Sequence, residues 1–321
     1  MLTVKTKIIF FLSPDVTGAE RVSVTMAKHK DQEKYEVVFA ILGNTFGDII
    51  SYIPHSCQCH LVPLLRLDDY LKQERPDEVF CSLIHLNGEV LTAAKKIGHI
   101  RVVLRNNYNL SDISEDLLNI AKETYPHADM VIAQTEQMKQ ELIAVCHVSE
   151  DKVDVIDNPI DTEYIDEHVR LVSSPYPEDG KIHFCWVGRY EKIKGVDLML
   201  EAFLQVYQNH PNTSLYLIGK VNRESEYYQY LYRYVSNCNL LEAVHFNGFD
   251  KNPYPWIKHA DSFLIPSRSE ANSNVLKEAT YLGTPTIYTS DVSEMATKMI
   301  NIIESANGRK KILCTSIQLC G

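Results

Sequence analysis

Short apolar runs alternate with amphipathic segments in two successive cycles, and no other feature constrains the fold of this chain as tightly. The first run, Lys7-Ile-Ile-Phe-Phe-Leu12, is apolar at every position after the lysine. A strand covered on both faces requires that pattern. A loop, Ser13-Pro-Asp-Val-Thr-Gly18, leads into a helical pattern from Ala19. Further strand-like runs fall at 35–42, 57–63, 78–84, 100–104, 130–133 and 153–156, with helical segments such as 88–97 and 135–145 between most of them. Residues 173–180, Ser-Ser-Pro-Tyr-Pro-Glu-Asp-Gly, are turn formers without apolar periodicity and read as a linker. The alternation then restarts, with strands at 182–187, 214–218, 244–246, 261–265 and 285–288 and helices at 196–209, 224–235, 255–259 and 274–282. The expectation is an α/β chain of two Rossmann-like, doubly wound parallel-sheet domains, 1–172 and 181–321, facing each other across a cleft. Ligands of such sheets bind outside the carboxyl ends of the strands.

Composition narrows the partners. The net charge of −10 comes from residues 1–170, which hold 17 Lys and Arg against 27 Asp and Glu, while residues 171–321 hold 15 of each. An acidic first half argues against nucleic acid. The apolar run at 8–12 is too short for a membrane span or a signal-peptide core, so a cytoplasmic location is expected. One local basic patch, Lys95, Lys96 and Arg101, is the candidate for peripheral contact with the inner face of the cell membrane. The eight cysteines are expected as reduced thiols. In His55-Ser-Cys57-Gln-Cys59-His60, four zinc-capable residues crowd into six positions with no second pair at finger-like spacing. Cys57, Cys59 and Leu61 alternate instead as one face of a core strand.

The chemistry gathers at the strand ends of the second cycle. After the strand at 182–187 comes Gly188-Arg189-Tyr-Glu-Lys192-Ile-Lys194-Gly195. Gly188 permits a tight turn, and the Arg189 fork and the Lys194 point charge both suit phosphate oxygens. The helix that follows adds its N–H groups and dipole. After the strand at 261–265 comes Pro266-Ser-Arg-Ser-Glu270, then a helix that Asn272 or Ser273 can cap and that carries Glu278. Backbone N–H groups at Ser273, Asn274 and Val275 offer a second anion site. Carboxylates do not bind phosphate, so Glu270 and Glu278 suit the hydroxyls of a hexose and a ribose. Two cations, two helix N-termini and two carboxylates together sketch a nucleoside-diphosphate sugar. Taken singly, each glutamate is explained by helix-dipole compensation, worth about 0.3–1 kcal/mol. That account leaves the Arg/Lys loop and the shared strand-end location unexplained.

The segments Val187-Gly-Arg-Tyr-Glu-Lys-Ile-Lys-Gly195, Leu215-Tyr-Leu-Ile-Gly219, Val244-His-Phe-Asn-Gly-Phe249 and Ala260-Asp-Ser-Phe-Leu-Ile-Pro-Ser267 come in order. Glu270-x7-Glu278-Ala and Gly283-Thr-Pro285 follow. This set resembles the donor half of the retaining family 4, or group 1, glycosyltransferases of GT-B fold. In the first half, Thr17-Gly-Ala-Glu-Arg21, Ala128-Asp-Met-Val-Ile-Ala133 and Val155-Ile-Asp-Asn-Pro-Ile-Asp161 resemble the family's loop and interdomain stretches. The resemblance covers about residues 7–290.

It implies that Arg189 and Lys194 neutralise the diphosphate leaving group without a metal, in keeping with a sequence that has no Asp-x-Asp motif. It implies that Glu270 contacts the donor sugar, that Glu278 holds the ribose and that Gly18, Gly188 and Gly219 lie against the nucleotide. Arg189, Lys194 and Glu270 are then the catalytic set, acting by front-face transfer with retention. No cofactor is expected beyond the donor itself, taken as a UDP-sugar, and the acceptor is a saccharide or lipid-linked saccharide of surface polysaccharide biosynthesis.

Four departures accompany it. Thr17 replaces the first glycine of a Gly-Gly pair, and Gly219-Lys-Val221 replaces Gly-x-Gly. Arg105-Asn-Asn-Tyr-Asn109 stands where many members carry a histidine, leaving Asn106, Asn107 and His85 as acceptor-side candidates. The tail at 296–321 is atypical, including Lys310-Lys-Ile-Leu-Cys-Thr-Ser-Ile-Gln-Leu-Cys-Gly321, and suggests a second domain shortened at its C-terminus. Two alternatives follow: a non-catalytic nucleotide-sugar-binding partner subunit, and a GT-B sugar-nucleotide epimerase.

Overall fold

The computed structural model describes the backbone of residues 5–318 and the side chains of residues 5–306. The chain divides into two compact units, Met1–Ile160 and Asp161–Gly321.

In the first unit, strands β1 (Thr6–Leu12), β2 (Tyr35–Leu42), β3 (Gln58–Val62), β4 (Glu78–Cys81), β5 (Arg101–Arg105), β6 (Met130–Ala133) and β7 (Val153–Val155) form one sheet. Its order is β3-β2-β1-β4-β5-β6-β7. Every pairing is parallel, with β1 and β2 in register from Thr6↔Tyr35 to Leu12↔Ile41. Helices α1 (Gly18–Lys28), α2 (Leu67–Glu74), α3 (Ile84–Ile97), α4 (Glu115–Thr124) and α5 (Glu136–Cys146) make the crossovers. Ile8 to Leu12 are all buried, as a central strand covered on both faces must be. Cys57, Cys59 and Leu61 pack against this core, which is the strand face read from the sequence. His60 Nδ1 lies 2.9 Å from the Tyr70 hydroxyl in a hydrogen bond.

The second unit contains α6 (Thr162–Arg170), β8 (Ile182–Val187), α7 (Val196–Asn209), β9 (Thr213–Ile218), α8 (Glu226–Asn237), β10 (Val244–Gly248), α9 (Tyr254–His259), β11 (Ser262–Ile265), α10 (Asn274–Tyr281), β12 (Thr286–Tyr288) and α11 (Val292–Gln318). Its sheet, again wholly parallel, has the order β10-β9-β8-β11-β12. The residues 161–172, assigned from sequence to the first domain, belong here. Asn252 Nδ2 donates to the His168 carbonyl at 2.8 Å, and Tyr164 meets Tyr254 edge-on at 6.1 Å.

The atypical tail is helical through Gln318, and residues 319–321 lie outside the described part. Met295, Ala296, Met299 and Ile303 are buried in the core of the second unit, so the start of α11 closes that core. Their spacing puts one stripe of a helix inward.

In both sheets the strand order reverses beside the first strand of the unit, between β1 and β4 and between β8 and β11. Loops leaving such a pair of strands diverge to opposite sides, which opens a crevice for ligand at the carboxyl ends. The Gly18 segment follows β1, the Gly188–Gly195 loop follows β8 and the Glu270 loop follows β11.

Candidate donor site

The loop after β8 is shaped from below. Tyr190 is buried, its hydroxyl donating to the Leu217 carbonyl at 3.2 Å and its ring packed against Trp186 and Tyr228. Lys192–Lys194 make a single 3₁₀ turn that ends at Gly195, whose φ of 69° is in the left-handed region. A Cβ there would run into the Pro266 carbonyl, so this backbone touches the loop after β11. Gly219 plays a similar part: a Cβ on it would strike the Gly188 carbonyl. Gly188 N–H in turn donates to Ile218 at 3.0 Å, and Gly219 N–H to Gly248 at 2.8 Å.

The two loops meet through their side chains. Lys194 Nζ lies 2.8 Å from Glu270 Oε1, with side-chain exposures of 24% and 12%. Ser267 Oγ donates to the same carboxylate oxygen at 2.6 Å. Arg189 is exposed and pairs with Glu191 at 2.8 Å, which leaves its guanidinium at the rim. Ser273 occupies the N-cap position of α10 with no side-chain capping bond, so its hydroxyl does not fill the first turn. Asn274 and Val275 are the first two residues of that helix. Glu278 is its fifth and is buried, at 5% exposure. Tyr288 ends β12, and partial burial, with the Glu270 carboxylate adding to it, raises its hydroxyl's pKa above the ordinary value.

Sequence reasoning missed a second bridge between these loops. Arg268 grips Asp197 with both arms of its guanidinium, Nη1 to Oδ1 at 2.8 Å and Nη2 to Oδ2 at 2.7 Å. The Tyr227 hydroxyl donates to Asp197 Oδ1 at 2.8 Å. Burial works to raise the Asp197 pKa, yet the hydrogen bonds from Arg268 and Tyr227 and the Arg268 charge bring it below its ordinary value. Arg268 stands two residues before Glu270, but its partner is 71 residues away and no local spacing announces it.

The donor-binding candidate Gly18 and the acceptor-side candidates His85, Asn106 and Asn107 lie in the first unit. Gly18 is the first residue of α1, capped by Thr17, whose Oγ1 accepts from Ala19 N–H at 3.2 Å. The same threonine and Ser13 donate to the buried carboxylate of Glu20. His85 is not at a strand end. It is exposed on the first turn of α3, because β4 stops at Cys81 and the helix begins at Ile84.

Asn106 is fully buried and its amide is used internally. Nδ2 donates to the Tyr108 carbonyl at 2.8 Å, and Oδ1 accepts from Tyr108 N–H at 3.3 Å. It shapes the loop and is not presented to a sugar. Asn107 donates to the Ser82 carbonyl and accepts from Gln134 at 2.9 Å. The basic patch carries its own counter-charges. Lys95 pairs with Asp129 at 2.9 Å, Lys96 with Asp68 at 2.8 Å and Arg101 with Glu78 at 2.5 Å, so each charge has a carboxylate beside it.

Two family models match the chain: Glycosyltransferase Family 4 over residues 16–164 and Glycosyl transferases group 1 over residues 173–303. The chain belongs to the group 1, family 4 glycosyltransferases. An uncharacterized glycosyltransferase of Methanocaldococcus jannaschii is 24% identical over 226 residues, 67% of this chain and 50% of that protein. This glycosyltransferase chain thus spans about half the length of that relative.

The N-acetylgalactosamine-N,N'-diacetylbacillosaminyl-diphospho-undecaprenol 4-alpha-N-acetylgalactosaminyltransferase of Campylobacter jejuni is 26% identical over 301 residues, 84% of this chain and 77% of that one. Among solved structures, Anabaena HepE in complex with UDP and glucose superposes with a TM-score of 0.80 at 16% identity, over 94% of this chain and 91% of that one. The likeness establishes the GT-B fold. Among the described residues, no helix is long and apolar enough to cross a membrane.

Proposed function

We propose that this glycosyltransferase takes a sugar from a nucleoside-diphosphate sugar held at the ends of β8 and β11 and transfers it, with retention, to a saccharide or lipid-linked saccharide acceptor. The observation that carries this reading is the meeting of Lys194 and Glu270, 76 residues apart in sequence, at the strand ends where the sheet order reverses. An opposed cation and carboxylate suit a ligand with a diphosphate on one side and hydroxyls on the other. Lys194 and Arg189, with the N-terminus of α10, take the charge that develops on the leaving diphosphate, in the place a metal holds elsewhere. Glu270 exchanges its bond to Lys194 for the donor sugar's hydroxyls. Glu278 holds the ribose, and Gly188 and Gly219 keep the loops low enough for the nucleotide to lie close.

UDP is favoured as the nucleotide because HepE was solved in complex with UDP and glucose. A lipid-diphosphate-linked acceptor is favoured because the Campylobacter relative's name specifies one. Such an acceptor fits a reaction at a membrane surface, in assembly of a surface glycan. His85 and Asn107 remain the acceptor-side groups with polar atoms near the surface of the first unit.

The test incubates the protein with a panel of UDP-sugars and a lipid-linked saccharide and follows UDP release. Lys194→Ala and Glu270→Ala should each lower kcat by about 100- to 1,000-fold, the cost of one preorganised contact to developing charge. Full activity in either variant sinks the site assignment. Binding of UDP-sugars with no UDP release makes the chain a binding subunit instead.

A further inference from the structure

We propose that Arg268 is a positioning residue that fixes the spacing between the cationic and acidic loops of the donor site; this inference rests on the donor-site reading above. Four hydrogen bonds run from Arg268 to the segment 192–197, which carries Lys194. Two go to the Asp197 carboxylate at 2.8 and 2.7 Å, and Nη1 also donates to the Lys192 carbonyl at 2.6 Å. Its backbone N–H donates to the Ile193 carbonyl at 2.8 Å. Glu270 follows two residues later in the same loop, so one residue ties the Lys194 turn to the Glu270 turn from both sides.

The Lys194–Glu270 pair cannot serve this purpose itself. Both groups must turn to the ligand when a donor arrives, and their mutual bond is then given up. The Arg268–Asp197 pair involves neither, and Tyr227 on α8 adds a further bond to Asp197 Oδ1. A guanidinium suits the role because its planar fork meets a carboxylate in one geometry and keeps a further donor for the Lys192 carbonyl. A lysine ammonium makes point contacts and leaves the angle open.

Arg268→Gln, Asp197→Asn, Arg268→Lys and the Gln/Asn double variant test this, with steady-state transfer and with titrations of UDP and UMP. Loosening the loops should lower kcat/KM by about 10- to 100-fold, the scale of a misplacement near 1 Å. UDP should bind more weakly relative to UMP, because a displaced Lys194 no longer reaches the distal phosphate, which UMP does not have. Arg268→Lys should recover part of the activity, and the double variant should be no worse than the worse single one. Unchanged kcat/KM and an unchanged UDP-to-UMP ratio in folded Arg268→Gln overturn the proposal while leaving the donor site standing. Should that variant not fold, Tyr227→Phe and Asp197→Asn carry the same comparison. A wild-type chain that binds no UDP defeats the donor-site reading, and this inference with it.

Discussion

Lys194 and Glu270 form an ion pair at 2.8 Å, each contributed by a different strand-end loop of the second sheet. Neither loop holds its charge alone. Removing one partner leaves the other in a mostly enclosed position without its counter-charge, while removing both leaves no orphan. Lys194→Ala and Glu270→Gln should therefore each destabilise the chain, and the double variant should do so by less than their sum. The coupling expected is about 0.5–3 kcal/mol, measured as a double-mutant cycle of thermal unfolding. Strict additivity would show that the two loops are held apart by other means.

That pairing marks how far the sequence alone could lead. The strands of the second unit were legible because each is a short apolar run bounded by turn residues, and 182–187 and 196–209 coincide with β8 and α7. Periodicity also reports which residues face inward, which is why Cys57 and Cys59 fall on the core side. Periodicity says nothing of which side chains converge across a sheet. The pairing of Arg268 with Asp197 depends on strand order, and strand order is set by long-range packing. Asn106 misled for a related reason. An amide in a loop looks available for a ligand until the neighbouring carbonyl and N–H that occupy it are known.

The glycines of the second unit divide by cause. Gly195 combines a φ of 69° with a Cβ site blocked by the Pro266 carbonyl, whereas Gly248, at φ 74°, has nothing within 4 Å of that site. Gly248→Ala should cost about 1–2 kcal/mol, the left-handed penalty for a residue with a Cβ. Gly195→Ala should cost clearly more, since the two loops must also separate, and it should impair UDP binding where Gly248→Ala does not. Differential scanning calorimetry with and without UDP checks both. Equal losses at the two positions would mean that the close approach to Pro266 is not needed.

Asp197 makes the stability of the second unit sensitive to acid. Burial alone would raise its pKa, but the hydrogen bonds from Arg268 and Tyr227 and the Arg268 charge outweigh burial and hold it below the ordinary 3.8. With the folded value lower than the unfolded one, the stabilisation is complete above about the ordinary carboxylate value and is lost as pH falls through the lower folded value. Asp197→Asn should therefore lower the Tm at neutral pH. The gap from the parent chain should begin to narrow below about pH 3.8, where the unfolded carboxylate takes up its proton, and go on narrowing as pH falls through the lower folded value. A gap that stays constant across that range would remove Asp197 from the acid response.

Arg105 carries the last prediction, and it concerns the first unit. The residue is fully buried at the end of β5, and burial pushes its guanidinium down to about 10, against a smaller raising effect of Asp157. Its hydrogen bonds go to neutral acceptors: Nη1 donates to the Met26 sulfur at 3.7 Å, and Nη2 donates to the Ile156 carbonyl at 3.2 Å and to the Asn158 side chain, just ahead of the boundary between the units at Ile160. Losing an acceptor from a buried cation leaves an unsatisfied charge, whereas removing the cation for an apolar chain of similar length removes the demand along with the supply. Asn158→Leu should accordingly be more destabilising than Arg105→Met, by about 1–3 kcal/mol. Thermal unfolding of the two variants at neutral pH decides it. The reverse order would show that the guanidinium contributes more through its packing against Met26 and the strand end than it costs through its buried charge.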